Sequence, residues 1–474
     1  MSAIGKIGVL SLALLITGSV DSVRNMPTSA LFGPQLLFFA VLGAIFFLIP
    51  IGLVSAEMVT TEGMHGGLYV WVKRALGRRA AFLAVWLQWI NTLVWYPTIL
   101  SFIAGSAAYL IDPALAQNKA YLVSVVLTVF WGLALVNLRG LKAAAMVASF
   151  CTFFGMVLPM LLIIVLGLYW AFKGLPMQVH MPELMKIPDL RHFDAWISLT
   201  AIITSFLGME LATVHARDID NPQKNFPRAL LFSVIFILGT TVLGSLVIAW
   251  VLPQHDIHLV DGTMQVFTRF FQEYHMMWFL PVLAVALVIG SIGGMINWVI
   301  SPTRGLLQAA EDGFLPRYFC KVNRHGAPSN LIIIQAVLVS LMCLAFVLMP
   351  SVNGSYWLLT DLSTQLYVMM YVLLFISAWV FKIKHPQVPA GFRVSKNSRG
   401  TGIACFTGLL GCLSALMVGF VPPSDIDVGG AMHFFIIFTF GLIMMLLPVL
   451  GFYQFERHKG GALDDEDLAI GNVG

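Results

Sequence analysis

Apolar residues run along this chain in stretches of about 20 positions, separated by short polar segments, from one end to the other. An α-helix rising 1.5 Å per residue needs about 20 such positions to cross a hydrocarbon core of about 30 Å. The pattern predicts helices over 6–31, 36–60, 79–110, 121–138, 145–172, 193–216, 227–252, 278–309, 330–349, 354–382, 401–421 and 431–453. The third, eighth and tenth exceed the minimum length and are expected to tilt or to extend beyond the bilayer. The chain is therefore expected to be an all-α integral membrane protein with twelve transmembrane helices in a single domain, 1–453, followed by a short acidic tail, 454–474. That tail, with Asp464, Asp465, Glu466 and Asp467, is expected to be disordered.

Composition agrees with this pattern. Hydrophobic residues make up 59% of the chain, charged residues 11%, and the mean hydropathy is +0.87, whereas soluble domains carry roughly 25% charge. A net charge of +4 is no nucleic-acid footprint. Cys151, Cys320, Cys343, Cys405 and Cys412 show no metal-ligand spacing and are expected to pack as small hydrophobes. No cofactor is implied. The charges do set an orientation. With the N-terminus cytoplasmic, 21 of the 27 basic residues fall on that side, in clusters such as Lys73/Arg74/Arg78/Arg79 and Lys382/Lys384/Arg393/Lys396/Arg399. This asymmetry is the positive-inside signature, and it predicts both termini cytoplasmic.

Two spans are interrupted. The first carries Gly18, Ser19, Asp21, Ser22 and Arg24 ahead of Pro27, and the sixth carries Ser205, Phe206, Gly208 and Glu210. Broken backbone at membrane depth must be buried or line a cavity. Paired breaks at corresponding positions of two halves, here the first and sixth of two five-helix units, point to a transporter site at the repeat interface. Free N–H groups at one break attract a carboxylate, and exposed carbonyls at the other accept from an ammonium, so a zwitterion suits the pair.

Several segments extend this reading. They are Phe47-Leu48-Ile49-Pro50-Ile51-Gly52-Leu53 with Ala56-Glu57-Met58, Gly66-Gly67-Leu68-Tyr69-Val70-Trp71-Val72, Gly208-Met209-Glu210, Asp220-Asn221-Pro222 and Trp298-Val299-Ile300-Ser301-Pro302-Thr303-Arg304-Gly305. Through them the chain resembles the amino acid–polyamine–organocation superfamily, and within it the bacterial glutamate/GABA antiporter family. The resemblance implies a LeuT-type fold with two inverted five-helix repeats (about 6–172 and 193–382), helices 1 and 6 broken, and two peripheral helices over about 401–453. It also implies a bacterial inner-membrane location and alternating-access exchange of small amino acids or amines by a monomer or homodimer in the lipid bilayer. The chain has Gly294 where the family pattern has a Glu, and Arg24 where the family has an aromatic. A neutral or cationic amino acid or amine is therefore kept as the second substrate reading.

The candidate substrate-binding residues are Gly18, Ser19, Asp21, Ser22, Arg24, Ser205, Phe206, Gly208, Trp298 and Tyr367, with Glu210 and His215 for proton coupling or pH sensing. Asp21 and Arg24 stand three apart, close enough to pair across a helical turn. Two roles remain open: a salt bridge that shapes the broken helix, or separate contacts in which Arg24 takes a substrate carboxylate and Asp21 a substrate cation. Glu210 is equally open between carrying a proton and tying helix ends together. Phe206, Trp298 and Tyr367 are candidate gating rings, while Trp86, Trp89, Trp95, Tyr96, Trp131 and Trp250 are expected to form interfacial belts. Asp361, with Ser363, Thr364, Gln365, Tyr367 and Tyr371, forms a polar patch that could close over a substrate. A channel would need a continuous polar stripe. A membrane-embedded enzyme would need a catalytic cluster that none of the His or Cys spacings supplies.

Overall fold

A computed structural model of the chain describes residues 8–62, 64, 66–139, 151, 153–184, 186–191, 193–211, 213, 219, 221–299, 301–395 and 398–470. The principal helices are α1 (Val9–Val20), α2 (Met26–Ala30), α3 (Gly33–Thr60), α4 (Leu68–Leu76), α5 (Arg78–Ala108), α6 (Lys119–Leu138), α7 (Phe153–Phe172) and α8 (Phe193–Thr204). There follow α9 (Pro222–Val251), α10 (Gly262–Glu273), α11 (Leu280–Trp298), α12 (Ser301–Glu311), α13 (Ser329–Leu348), α14 (Val352–Lys384), α15 (Ser398–Val418) and α16 (Ala431–Ile470). Among the described residues there is no strand, and Thr61 and Ala390 form an isolated antiparallel bridge.

Eight of these helices, α3, α6, α7, α9, α13, α14, α15 and the 431–457 part of α16, are long and apolar enough to cross a bilayer. Their outer faces carry exposed Leu, Ile, Val and Phe, such as Leu135, Ile235 and Phe440, as a surface solvated by lipid requires. Shorter apolar stretches, 195–211 and 277–293, correspond to the sixth and eighth predicted spans. The third prediction appears as α5, 31 residues long, buried along most of its length and studded with Gln88, Asn91, Thr92, Thr98 and Ser101. Those polar groups face protein rather than lipid.

Two expectations need correction. The eighth span does not run unbroken from 278 to 309: α11 ends at Trp298, and a separate amphipathic helix, α12, begins at Ser301. The tail is not disordered throughout, because α16 continues past 453 to Ile470. Ala462, Leu463, Glu466 and Leu468 are helix formers that carry it onward.

Packing brings the interrupted segments to the centre. The long α14 lies against α5, α15 and α4, while α1 packs on α9 and α8 on α3. Where α7 crosses α11, Gly155 and Gly290 allow backbone contact: a Cβ on Gly290 would lie 2.1 Å from the Cα of Gly155. At the break in the first helix, α10 docks through the Thr263 hydroxyl, which donates to the Val23 carbonyl at 3.2 Å.

Candidate functional site

The first break begins where α1 runs out of helical residues. Asp21 (φ −77, ψ 141) and Ser22 (φ −154, ψ 129) are extended, and the chain then re-enters helix through a 3-10 turn, Val23–Asn25, into α2. The second break follows Thr204: residues 205–208 form a turn and 209–211 a 3-10 turn. Gly208 adopts φ +107, and a Cβ there would lie 2.7 Å from the Ser19 carbonyl oxygen. Only glycine combines that left-handed backbone with so close an approach. The two breaks thus meet backbone to backbone, Ser19 against Gly208. Ser29 and Ser205 hydroxyls form a second contact at 3.3 Å.

The carboxylate of Glu210 is buried and receives three donors from two other helices. Tyr367 donates at 2.6 Å and Gln88 at 3.2 Å to Oε1, and Tyr371 donates to Oε2. The Tyr371 hydroxyl also accepts the Gly208 N–H at 2.8 Å. One tyrosine therefore fastens both the glycine turn and the carboxylate of the α8 break to α14. Higher on the same face of α14, Thr364 meets Thr204 at 2.7 Å, and Ser363 donates to Asn91 Oδ1 at 2.8 Å.

Asp21 and Arg24 do not pair. A three-residue spacing brings side chains together only on a continuous helix, and the extended Asp21 and Ser22 turn them onto different partners. Asp21 accepts from the Thr240 hydroxyl on α9. Arg24 donates from Nη1 to the Thr98 hydroxyl on α5, and its guanidinium lies 5.1 Å from the centre of the Trp95 ring.

The other candidates divide. Gly18 and Ser19 are in the last turn of α1, where the Ser19 hydroxyl donates to the Leu15 carbonyl at 2.8 Å. Ser22 lies in the break. Phe206 is fully buried, with its ring near Gly43 of α3. Trp298 ends α11, with its side chain outside the described residues, as is His215. The Asp361 patch divides: Thr364, Tyr367 and Tyr371 face the second break, while Ser363 faces Asn91 of α5. Gln365 instead faces α15, donating to Asp361 Oδ1 at 3.2 Å and to the Ala415 carbonyl at 3.0 Å. Glu57 accepts from Lys382 and from Thr401 at 2.7 Å, joining α3, α14 and α15.

Sequence reasoning passed over Gln88, Thr98, Tyr356 and Thr240, and it assigned Trp95 to an interfacial belt. Gln88 was a visible signal, an amide in the middle of an apolar run. Trp95 and Thr98, three apart on the unbroken α5, share a face. Trp86 and Trp89 are core residues and not belt residues, with Trp86 donating to the Met445 carbonyl at 2.9 Å and Trp89 to Gln335 at 3.2 Å. Among the described residues no cluster of His, Cys, Asp and Glu could hold a metal ion.

An all-helical, multi-pass membrane protein with two interrupted helices in contact has the form of a transporter. The amino acid permease family matches residues 7–443, and the chain belongs to that family. It is similar to an uncharacterised transporter of Legionella pneumophila, 38% identical over 440 residues that cover 93% of this chain and 95% of the relative. It is also similar to a glutamate/gamma-aminobutyrate antiporter of Lactococcus lactis, 28% identical, covering 96% of this chain and 91% of that one. A protein of the same species named as a probable agmatine/putrescine antiporter is 23% identical over 78% of each chain.

Proposed function

We propose that this protein is a secondary active amino acid antiporter of the glutamate/GABA exchanger type, working by alternating access in a bacterial inner membrane. The observation that carries the reading is the contact between the two breaks at Ser19 and Gly208, with Glu210 bonded across to α5 and α14. Such a contact can be made in one conformation and released in another, because each hydroxyl, amide and carboxylate in it can exchange its partner for water. Substrate lies between Thr204, Ser205, Phe206 and the polar face of α14. The Glu210 cluster closes the side that the loop charges make cytoplasmic. The similarity to a glutamate/gamma-aminobutyrate antiporter over nearly the whole chain supports the same cargo.

A second reading, exchange or proton symport of a neutral or cationic amino acid or amine, is favoured by Asp21. This buried carboxyl group stands in the first break with a threonine hydroxyl as its partner. Counterflow in proteoliposomes decides between them. Labelled glutamate entering only against internal glutamate or GABA supports the first reading. Entry of a neutral or basic amino acid in its place supports the second. Flux without saturation or trans-stimulation would refute both and indicate a channel.

A further inference from the structure

Arg24 is 4% exposed, and among the described residues no carboxylate lies within ion-pair distance of it. A cation taken out of water without a counter-charge is costly, and intramembrane cations mark substrate paths or gates. What surrounds Arg24 holds it in place without neutralising it. The Thr98 hydroxyl accepts from Nη1 and itself donates to the Trp95 carbonyl at 2.7 Å, which fixes its lone pairs toward the guanidinium. The Trp95 ring covers one face.

The other edge of the guanidinium has no protein partner at its buried Nε. Nε belongs to the edge with which arginine grips a carboxylate through two parallel bonds. The Tyr356 hydroxyl lies within hydrogen-bonding reach of the Arg24 guanidinium, and the Thr360 hydroxyl, one turn along α14, is buried and unpartnered. The Arg24 guanidinium and the Tyr356 hydroxyl therefore meet at one place, where Nε is left without a partner. Glu210 cannot be the missing counter-ion. Its partners Tyr367 and Tyr371 lie 11 and 15 residues along α14 from Tyr356, a rise of about 16–22 Å. Asp21, close in sequence, is bonded to Thr240.

We infer that Arg24, with Tyr356 beside it and Thr360 one turn further along α14, binds a substrate carboxylate and so sets specificity: carboxylate-bearing amino acids are carried, and carboxylate-free diamines and polyamines are refused. The inference rests on the transport reading above and names the group that its substrate must present. Refusal follows from the same charge, because a diamine would place a second cation beside an unneutralised one.

The test compares wild type with Arg24→Gln, Arg24→Lys, Thr98→Val and Tyr356→Phe, each purified at full length and confirmed monodisperse in detergent. Counterflow is measured with labelled glutamate and labelled putrescine, and glutamate binding by quenching of tryptophan fluorescence. Wild type is expected to take glutamate and refuse putrescine. Arg24→Gln is expected to raise KM and Kd for glutamate by about thirtyfold or more. Arg24→Lys should recover part of that loss, and Thr98→Val and Tyr356→Phe should fall between. A structural role alone would not produce a loss confined to carboxylate affinity and repaired by another cation. Wild-type KM in the folded Arg24→Lys, Thr98→Val and Tyr356→Phe variants overturns the inference even if Arg24→Gln fails to fold. So does putrescine exchange by wild type, or glutamate binding indifferent to Arg24. Arg24-dependent glutamate binding without any counterflow keeps this inference and removes the antiporter reading. Exchange unaffected by Arg24 does the reverse.

Discussion

Replacing Tyr371 with Phe removes one oxygen atom and keeps the ring, with its edge-on contact to Phe47 at 5.0 Å between centroids. That oxygen closes two bonds at once, accepting from the Gly208 N–H at 2.8 Å and donating to Glu210. Gly208 and Glu210 are both buried, and orphaning a buried polar group costs about 1–3 kcal/mol. The change therefore costs about 2–6 kcal/mol. Tyr367→Phe removes a single bond from Glu210 Oε1, which Gln88 still caps at 3.2 Å, for a net loss of about 1 kcal/mol. Both penalties fall only on the conformation in which the α8 break is closed against α14, since water satisfies the same groups once they part. Tyr371→Phe should then shift the equilibrium toward the open form by about thirtyfold or more, and Tyr367→Phe by about fivefold. The assay is labelling of a single cysteine at Leu207, in a background with the five native cysteines replaced, by a membrane-impermeant maleimide in inside-out vesicles. Equal labelling rates for the two variants, or a larger effect for Tyr367→Phe, would refute the argument that Tyr371 secures both the turn and the carboxylate.

Other expectations come from the same packing. Gly208→Ala combines a left-handed φ, about 1–2 kcal/mol, with a Cβ 2.7 Å from the Ser19 carbonyl. It should lower the melting midpoint by several degrees and slow exchange, and an unchanged midpoint would contradict the close approach. Gly290→Val should prevent α7 from seating on α11, read as loss of monodisperse protein, whereas Gly132→Val, where a Cβ meets nothing within 4 Å, should be tolerated. Asp361 Oδ2 and Gln365 Oε1 are both buried acceptors without donors. Asp361→Asn supplies a donor there and should leave thermal stability equal or higher, so a lower midpoint would refute that account. In the loop after α12, burial pushes the Asp312 carboxyl up. Hydrogen bonds from Lys73 and Tyr69 and the charges of Lys73 and Arg78 outweigh this and hold it below the usual carboxylate range. A lowered folded value adds stability that is full at neutral pH and is lost as pH falls through that value. Asp312→Asn should therefore flatten the acid limb of a stability–pH curve, and an unaltered limb would show that the ion pair contributes nothing.

The elements were largely legible because bilayer thickness imposes a length on apolar helices that composition reveals directly. Both breaks were legible for a related reason: Gly18, Ser19, Asp21 and Ser22, or Ser205 and Gly208, are out of place in lipid unless backbone or ligand needs them. The eighth span was overextended because Trp298-Val299-Ile300 is apolar across the point where α11 gives way to α12. Gln88, Thr98 and Tyr356 were missed for a different reason. Gln88 and Thr98 acquire their partners, and Tyr356 its place beside Arg24, only when α5 or α14 is laid against a break, and that register is a property of packing.

Asp21 and Arg24 show where residue spacing stops being informative. Their separation implies a pair only if the intervening backbone is helical, and the residues that break the helix are among the ones that would have had to support it. Once Asp21 and Ser22 are extended, the carboxyl goes to Thr240 on α9 and the guanidinium to Thr98 on α5. The break thereby separates two opposite charges that a continuous helix would have neutralised. A self-contained salt bridge has nothing left to offer a ligand, whereas a guanidinium with an unpartnered Nε does. The same interruption that exposes backbone at the centre of the fold thus also keeps Arg24 available, and the two consequences cannot be selected apart.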